Sequence, residues 1–173
     1  YLGYLNAPYA GLVIEPTYDQ IENVFLDTMY KILKKWHVPV GDYNYNSKTH
    51  NFDVTLNGVS FTIRCRSADK AKNIAGANVA WLIVDEADFI YENVMNQLKA
   101  RVRIDAAPFK QICFVGTPEK VGGWWQTLAE IQKPSFHRLI RAHTMNNYFL
   151  PAYFAVVYLG QLSVQGQKQY VGG

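Results

Sequence analysis

The sequence predicts an α/β protein: a mainly parallel sheet flanked by helices. Three observations carry that expectation. Residues 11–15, 80–84 and 111–115 are short apolar runs with the unbroken hydrophobicity of strands buried on both faces. Segments of helical period separate these runs. Between the first and second, Phe52, Val54 and Leu56 alternate up to Asn57-Gly58, and Phe61, Ile63 and Cys65 alternate after it. Asn-Gly accepts the positive φ angles of a two-residue turn, so this stretch reads as a β-hairpin.

In chain order, the strand at 11–15 stops at Pro16-Thr17-Tyr18. Thr17 and Gln20 have capping-box spacing, which starts a helix. Its inner face is expected to carry Ile21, Val24, Phe25, Met29, Ile32, Leu33 and Trp36, which recur at three- and four-residue steps. Pro39 disfavours a helical residue before it and ends the helix near His37-Val38. The hairpin follows, and then 67–79, polar and small, reads as a short helix and loop. After the strand at 80–84, a helix over about 91–103 would turn Val94, Leu98 and Val102 inward. The strand at 111–115 closes on Gly116-Thr117-Pro118. An aromatic-rich helix from Trp124 to Ile131, a strand near Phe136 to Ala142, and helical stretches at 151–160 and 163–170 complete the reading.

Composition narrows the class. The 173 residues, 49% apolar and 18% charged, fit one domain with a real core and exclude a disordered chain. A net charge of +3 and a pI near 8.8 permit nucleic-acid contact without arguing for it. Cys65 and Cys113 lie in apolar, strand-like runs and read as buried free thiols. The four histidines lack metal-ligand spacing. No run approaches the roughly 18 apolar residues of a membrane span, and no signal peptide opens the chain, so a soluble intracellular protein with no membrane partner is expected. The first residues have no initiator Met or polar lead-in, and the last no charged tail. An internal piece of a longer protein is therefore expected.

Chemistry concentrates at strand ends. Ligands bind at the carboxyl edge of parallel sheets, and three such ends here carry candidate groups: Glu15-Pro16-Thr17, Asp85-Glu86 and Gly116-Thr117-Pro118. Asp85 suits Mg²⁺, directly or through water, and Glu86 beside it suits the orientation or deprotonation of an attacking water. These are the acidic half of a P-loop nucleotide hydrolase. The bland alternative is that both acids only favour a helix N-terminus. The other half, G-x-x-x-x-G-K-[ST], is absent from the sequence. The Thr117 hydroxyl suits a γ-phosphate or the attacking water, against the bland reading of a strand-to-turn junction. Capping alone explains Pro16-Thr17. Lys31, Lys34 and Lys35 read as a solvated helix face, and Arg64, Arg66, Lys70 and Lys72 as surface charge leading towards the acids. Trp124-Trp125, after Gly122-Gly123, read as core anchors.

The order Pro16-Thr17-Tyr18, the Asn57-Gly58 hairpin, Ser67-Ala68-Asp69, Gly76, Val84-Asp85-Glu86-Ala87 and Gly116-Thr117-Pro118 resembles the ATPase domain of phage terminase large subunits. Arg141-Ala142-His143-Thr144-Met145-Asn146-Asn147, Leu150-Pro151 and Gln169-Tyr170-Val171-Gly172 are similar to that family's passage out of the domain. The resemblance implies a P-loop NTPase core of the additional-strand, RecA- and helicase-like type, with the hairpin inserted near the sheet edge. It implies a partial ATPase domain over 1–147 and a helical segment over 148–173 leading towards a nuclease domain. The phosphate loop would lie upstream of Tyr1, so that the fragment alone would hydrolyse ATP poorly. Asp85 would be the Mg²⁺-associated acid and Glu86 the catalytic carboxylate. Gly116, Thr117 and Pro118 would form the nucleotide-contacting motif that couples hydrolysis to movement.

The implied cofactors are ATP and Mg²⁺. The implied partners are double-stranded DNA, a portal protein, a small terminase subunit and further copies in a ring on the prohead, in the host cytoplasm. One position departs: many members carry an arginine finger just before the Gly matching Gly76, where this chain has Ala75. Lys72, Arg66 and Arg101 are the substitutes to consider. Asp85-Glu86-Ala87-Asp88 also spells the DEAD-box helicase motif. Such helicases usually have Ser-Ala-Thr in place of Gly116-Thr117-Pro118, and Arg in place of Tyr18. A non-hydrolysing α/β assembly module, whose acids only cap a helix, is the third reading.

Overall fold

Strand β1 (Gly11–Glu15) is buried along its whole length and pairs in parallel on both sides, with β4 (Val59–Ser67) and β5 (Trp81–Val84). The computed structural model describes residues 1–69, 74, 76–117, 123–130, 137–142, 151, 153, 157, 160 and 161. Two compact units divide the chain, Tyr1–Gly116 and Thr117–Gly173. In the first unit the described residues form a six-stranded sheet of order β2-β3-β4-β1-β5-β6. Four strands, β4, β1, β5 and β6 (Gln111–Phe114), run parallel, and β2 (Tyr43–Asn46) and β3 (Asn51–Leu56) are antiparallel additions. The α/β class holds, with a mixed and mostly parallel sheet.

The hairpin closes as expected. Asn57 (φ 51°) and Gly58 (φ 79°) both adopt positive φ, as a type I′ turn requires, and Leu56 pairs with Val59. It lies towards one edge of the sheet and is integral to it, because β4 is itself a parallel neighbour of the central strand. Strand β2, at 43–46, was not foreseen: its Tyr-Asn-Tyr-Asn sequence lacks the apolar run that marks a strand, and it is an edge. Gly11 is fixed by packing, since a Cβ there would fall 1.9 Å from the Trp81 indole.

Thr17 starts the helix through a complete capping box: Gln20 N–H donates to Thr17 Oγ1 (3.3 Å) and Thr17 N–H to Gln20 Oε1 (3.1 Å). The helix runs as α2 (Tyr18–Gln20), a π-helical stretch (Ile21–Leu26) and α3 (Asp27–Lys35). The wider π turn shifts the inner face. Ile21, Leu26 and Leu33 are buried, whereas Val24 and Trp36, expected inside from a 3.6-residue period, are exposed. His37 (φ 56°) terminates the helix in the left-handed region, and Val38 N–H reaches back to the Leu33 carbonyl (3.0 Å).

The core lies between this helix and one face of the sheet, with Val13, Phe52, Val54, Phe61, Ile63, Cys65 and Trp81 packed against Ile21, Leu26 and Leu33. A short helix α1 (Leu2–Leu5), not expected from sequence, ends at buried Asn6. The Asn6 side chain donates to the Leu2 and Phe109 carbonyls (3.0 and 3.1 Å) and accepts from Phe109 N–H (3.0 Å), which ties the N-terminus to the loop entering β6. Helix α4 is shorter than expected (Glu92–Lys99). It buries Val94, Met95 and Leu98, and Val102 lies beyond it in a bridge to Val79.

Within 67–79 the described residues form no helix. In the second unit α5 spans Trp124–Glu130, with the Trp124 and Trp125 rings 5.8 Å apart and T-shaped. Residues 137–142, expected as a strand, carry no regular structure; of the helix expected over 151–160, residues 153, 157 and 160 are helical and 151 is not, and 161 just beyond it is also helical. The helix expected at 163–170 lies outside the described residues.

Candidate active site

Register brings the acids together. Ile14 pairs with Val84, and Asp85 N–H continues the ladder to the Ile14 carbonyl (2.9 Å). Glu15, one residue beyond Ile14, therefore stands beside Asp85 on the neighbouring strand. Glu15 also pairs with Ser67 on β4. Residues in register on parallel strands point to the same face, so Ser67, Glu15 and Asp85 form one row at the carboxyl edge. This row crowns the core face that carries Cys65, Val13 and Ile83.

The backbone folds sharply after Asp85. Glu86 sits in the left-handed region (φ 47°, ψ 47°), which non-glycine residues rarely occupy and which recurs at functional sites. Three hydrogen bonds hold the turn. Glu86 N–H donates to Asp85 Oδ1 (2.9 Å), Ala87 N–H to the Val115 carbonyl (2.9 Å) and Phe89 N–H to the Glu86 carbonyl (3.0 Å). Gly116 makes the close approach possible: a Cβ there would lie 3.0 Å from the Ala87 nitrogen. Asp85, Glu86 and Gly116 are thus locked into one constellation, and Asp88 is buried just beyond it.

Glu15 is the site residue that sequence reasoning left without a role. It is only 2% exposed. Burial, and then the charges of Asp85 and Glu86, push its carboxyl up to about 7. An acid ending a buried strand was the available signal, but its nearness to Asp85 follows from strand order, which sequence does not display. Burial and the Asp85 charge likewise raise the Cys113 thiol, and burial pushes Cys65 up to about 12.

Other candidates sit elsewhere. Arg66 gives its guanidinium to the Cys65 and His50 carbonyls (2.7 and 3.0 Å), a structural use that leaves it a poor finger. Arg101 lies at the opposite end of β5 from Asp85, where its carbonyl accepts from Val79 N–H (3.0 Å). Thr117 opens the second unit and is half-buried. Lys70, Lys72, Ala75 and Pro118 lie outside the described residues.

The donor set is hard oxygen, which suits Mg²⁺. Among the described residues, no group of three or more His, Cys, Asp or Glu is arranged to hold a metal. In phosphate-handling sites Mg²⁺ is held by one or two carboxylates together with water and phosphate oxygens.

No family model and no curated protein matches the sequence. Solved structures do. The large terminase from a thermophilic bacteriophage aligns with a TM-score of 0.82 at 16% identity, over 99% of this chain and 41% of that one. The same terminase in complex with ADP aligns at 0.78 and 17%, over 100% and 42%. The Thermus phage P74-26 large terminase ATPase domain aligns at 0.68 and 19%, over 99% and 79%. The chain therefore spans about two fifths of the length of the first of these terminases. At such identities the likeness is one of architecture: this chain has the fold of the phage large-terminase ATPase domain.

Proposed function

We propose that the chain is part of the ATPase motor of a viral DNA-packaging terminase large subunit, coupling ATP hydrolysis to movement of double-stranded DNA into a prohead. The observation that carries this reading is the locked constellation of Asp85, Glu86 and Gly116 at the carboxyl edge of adjacent parallel strands, on a large-terminase fold. The terminase of the thermophilic bacteriophage has been solved with ADP and with ATP-γ-S, which supports a nucleotide as the ligand. No described helix is long and apolar enough to cross a membrane.

In this reading Glu86 orients the attacking water and accepts its proton as the γ-phosphoryl group departs. Its left-handed backbone fixes the direction in which the side chain leaves the turn. Asp85 would hold Mg²⁺, directly or through water, and the ion when bound would neutralise charge on the phosphates. Thr117, directly after Gly116, contacts the γ-phosphate, and loss of that contact on hydrolysis shifts the segment that follows, Pro118 included. Residues 1–147 belong to the ATPase domain and 148–173 lead towards a nuclease domain.

The phosphate loop, proposed to lie upstream of Tyr1, has a place to go. In the described sheet β6 is the last strand, and Ile112 and Cys113 on it are apolar. An apolar edge strand of this kind calls for a covering partner, and a strand added there would bring its loop alongside Asp85 and Glu86. DNA would be held through its backbone and so bind in a salt-sensitive, sequence-tolerant way. Portal, small subunit and sister copies in a ring are the partners this reading names, in the host cytoplasm.

The test is Glu86→Gln in a polypeptide extended upstream through the phosphate loop. ATP-analogue binding should persist while hydrolysis falls by about 10²-fold or more, the scale of a lost general base. Retained turnover would remove Glu86 from its role. Equal loss of binding would make the turn structural.

A further inference from the structure

We propose that Glu15 is a positioning residue of this site, acting through Asp85 to strengthen its hold on a divalent cation. The inference rests on the reading of Asp85 as the cation-bearing acid and extends it to a residue on a different strand.

Asp85 accepts the Glu86 amide on one carboxylate oxygen, which leaves the other the freer of the two for a cation. Strands in a sheet lie about 4.8 Å apart, and Glu15 stands in register beside Asp85 on the same face. Its backbone is clamped from both sides, because its carbonyl accepts from Ala68 N–H (2.9 Å) and the preceding carbonyl from Asp85 N–H (2.9 Å). With 2% exposure the side chain cannot swing into solvent. A second carboxylate is therefore fixed next to the first in surroundings of reduced dielectric, where charges act over longer distances than in water.

Two consequences follow for a cation arriving at the remaining Asp85 oxygen. It meets the field of both acids, and the Glu86 amide on one Asp85 oxygen restrains the carboxylate that receives it. Two carboxylates held side by side on neighbouring strands repel one another. A divalent ion would relieve that repulsion. Glu15 acts through Asp85, so its effect should show in cation affinity before it shows in chemistry.

The experiment is a Mn²⁺ titration of this chain at pH 8 without nucleotide, read by electron paramagnetic resonance and repeated by calorimetry with Mg²⁺. Circular dichroism checks that each variant is folded. The unsubstituted chain should bind one ion saturably, and Asp85→Asn should abolish binding. Glu15→Gln, which keeps the shape and removes the charge, should weaken binding about tenfold. Glu15→Asp, which retracts the charge by one methylene, should weaken it about threefold. These are the scales of altering one charge several ångströms from a divalent ion in partly screened surroundings. Asp105→Asn, remote and solvent-exposed, should match the unsubstituted chain.

Unchanged affinity in Glu15→Gln, with Asp85→Asn inactive in binding, overturns the role of Glu15 and leaves the Asp85 reading intact. Binding that survives Asp85→Asn overturns both; a lack of saturable binding by the unsubstituted chain overturns the role of Glu15 and leaves intact the Asp85 reading, in which phosphate oxygens complete the site. If Glu15→Gln misfolds, Glu15→Asp decides: unchanged affinity there overturns the proposal.

Discussion

Glu15 makes the stability of the cation-free chain depend on pH in an unusual direction. Most acids in folded proteins are stabilised as carboxylates, so stability falls on acidification. Glu15 is the reverse case. Its carboxyl rises from an ordinary 4.5 to about 7, first through burial and then through Asp85 and Glu86. The folded chain then holds a proton that the unfolded chain has lost. The neutral side chain's contribution is fully present below about 4.5 and is lost as pH rises through about 7. At roughly 1.4 kcal/mol per pH unit, the shift is worth about 3 kcal/mol across that window. Glu15→Gln keeps the volume, stays neutral and should remove this dependence.

Urea denaturation of both proteins in chelator at pH 5, 6, 7 and 8 isolates the effect, because the other titrating groups largely cancel in the difference. Relative to the unsubstituted chain, Glu15→Gln should gain little at pH 5 and about 3 kcal/mol by pH 8. By thermal melting that is about 6–12 °C for a chain of this size. Parallel stability profiles for the two proteins would refute the reasoning, for they would mean that Glu15 ionises in the fold as it does in the unfolded chain.

Four further outcomes are expected. Asn6→Ala should cost about 1–2 kcal/mol in urea unfolding, because the part-buried Phe109 N–H and carbonyl lose their partner, while the Leu2 carbonyl keeps the residue-6 amide. Gly11→Ala should cost about 1–3 kcal/mol, since the new methyl meets the Trp81 indole, and near-UV circular dichroism should report the displaced ring. His37→Gly should stabilise the chain by about 1 kcal/mol by relieving a left-handed residue at the helix end, read as a raised urea midpoint. With a thiol reagent at pH 8, Cys113 should react slowly and Cys65 only on unfolding, since Cys65 is fully buried and its thiol is pushed up to about 12.

Local chemistry made much of this fold legible. The capping box at Thr17, the Asn57-Gly58 turn and the buried run Trp81-Leu82-Ile83-Val84 each declare themselves within a few residues, and each forms as expected. What failed to show in the sequence depended on context. Strand β2 is polar because it is an edge, and only its pairing with β3 makes it a strand. The π turn over Ile21–Leu26 breaks the 3.6-residue period, so a face read at that period placed Val24 and Trp36 inside. Strand β4 looked like half of an isolated hairpin because sequence shows its turn partner and not its parallel neighbour, β1.

The site divides along the same line. Asp85-Glu86 is legible because an apolar strand ending in two acids is a local pattern. Gly116 is legible as a strand terminator, but its reason lies on the neighbouring strand's turn, where a side chain would press to 3.0 Å on the Ala87 amide. Glu15 is separated from Asp85 by a helix, three strands and a loop, and only the placement of β1 beside β5 joins them. That placement also limits what Asp85 can do. With one oxygen held by the Glu86 amide and a buried acid at its flank, it is poorly placed to act as a freely moving base. Its remaining oxygen is suited to a cation. Glu86, beyond a left-handed turn, is set apart from that row by backbone geometry. Two adjacent acids in sequence are thereby given different surroundings, which is the condition for assigning them different chemical roles.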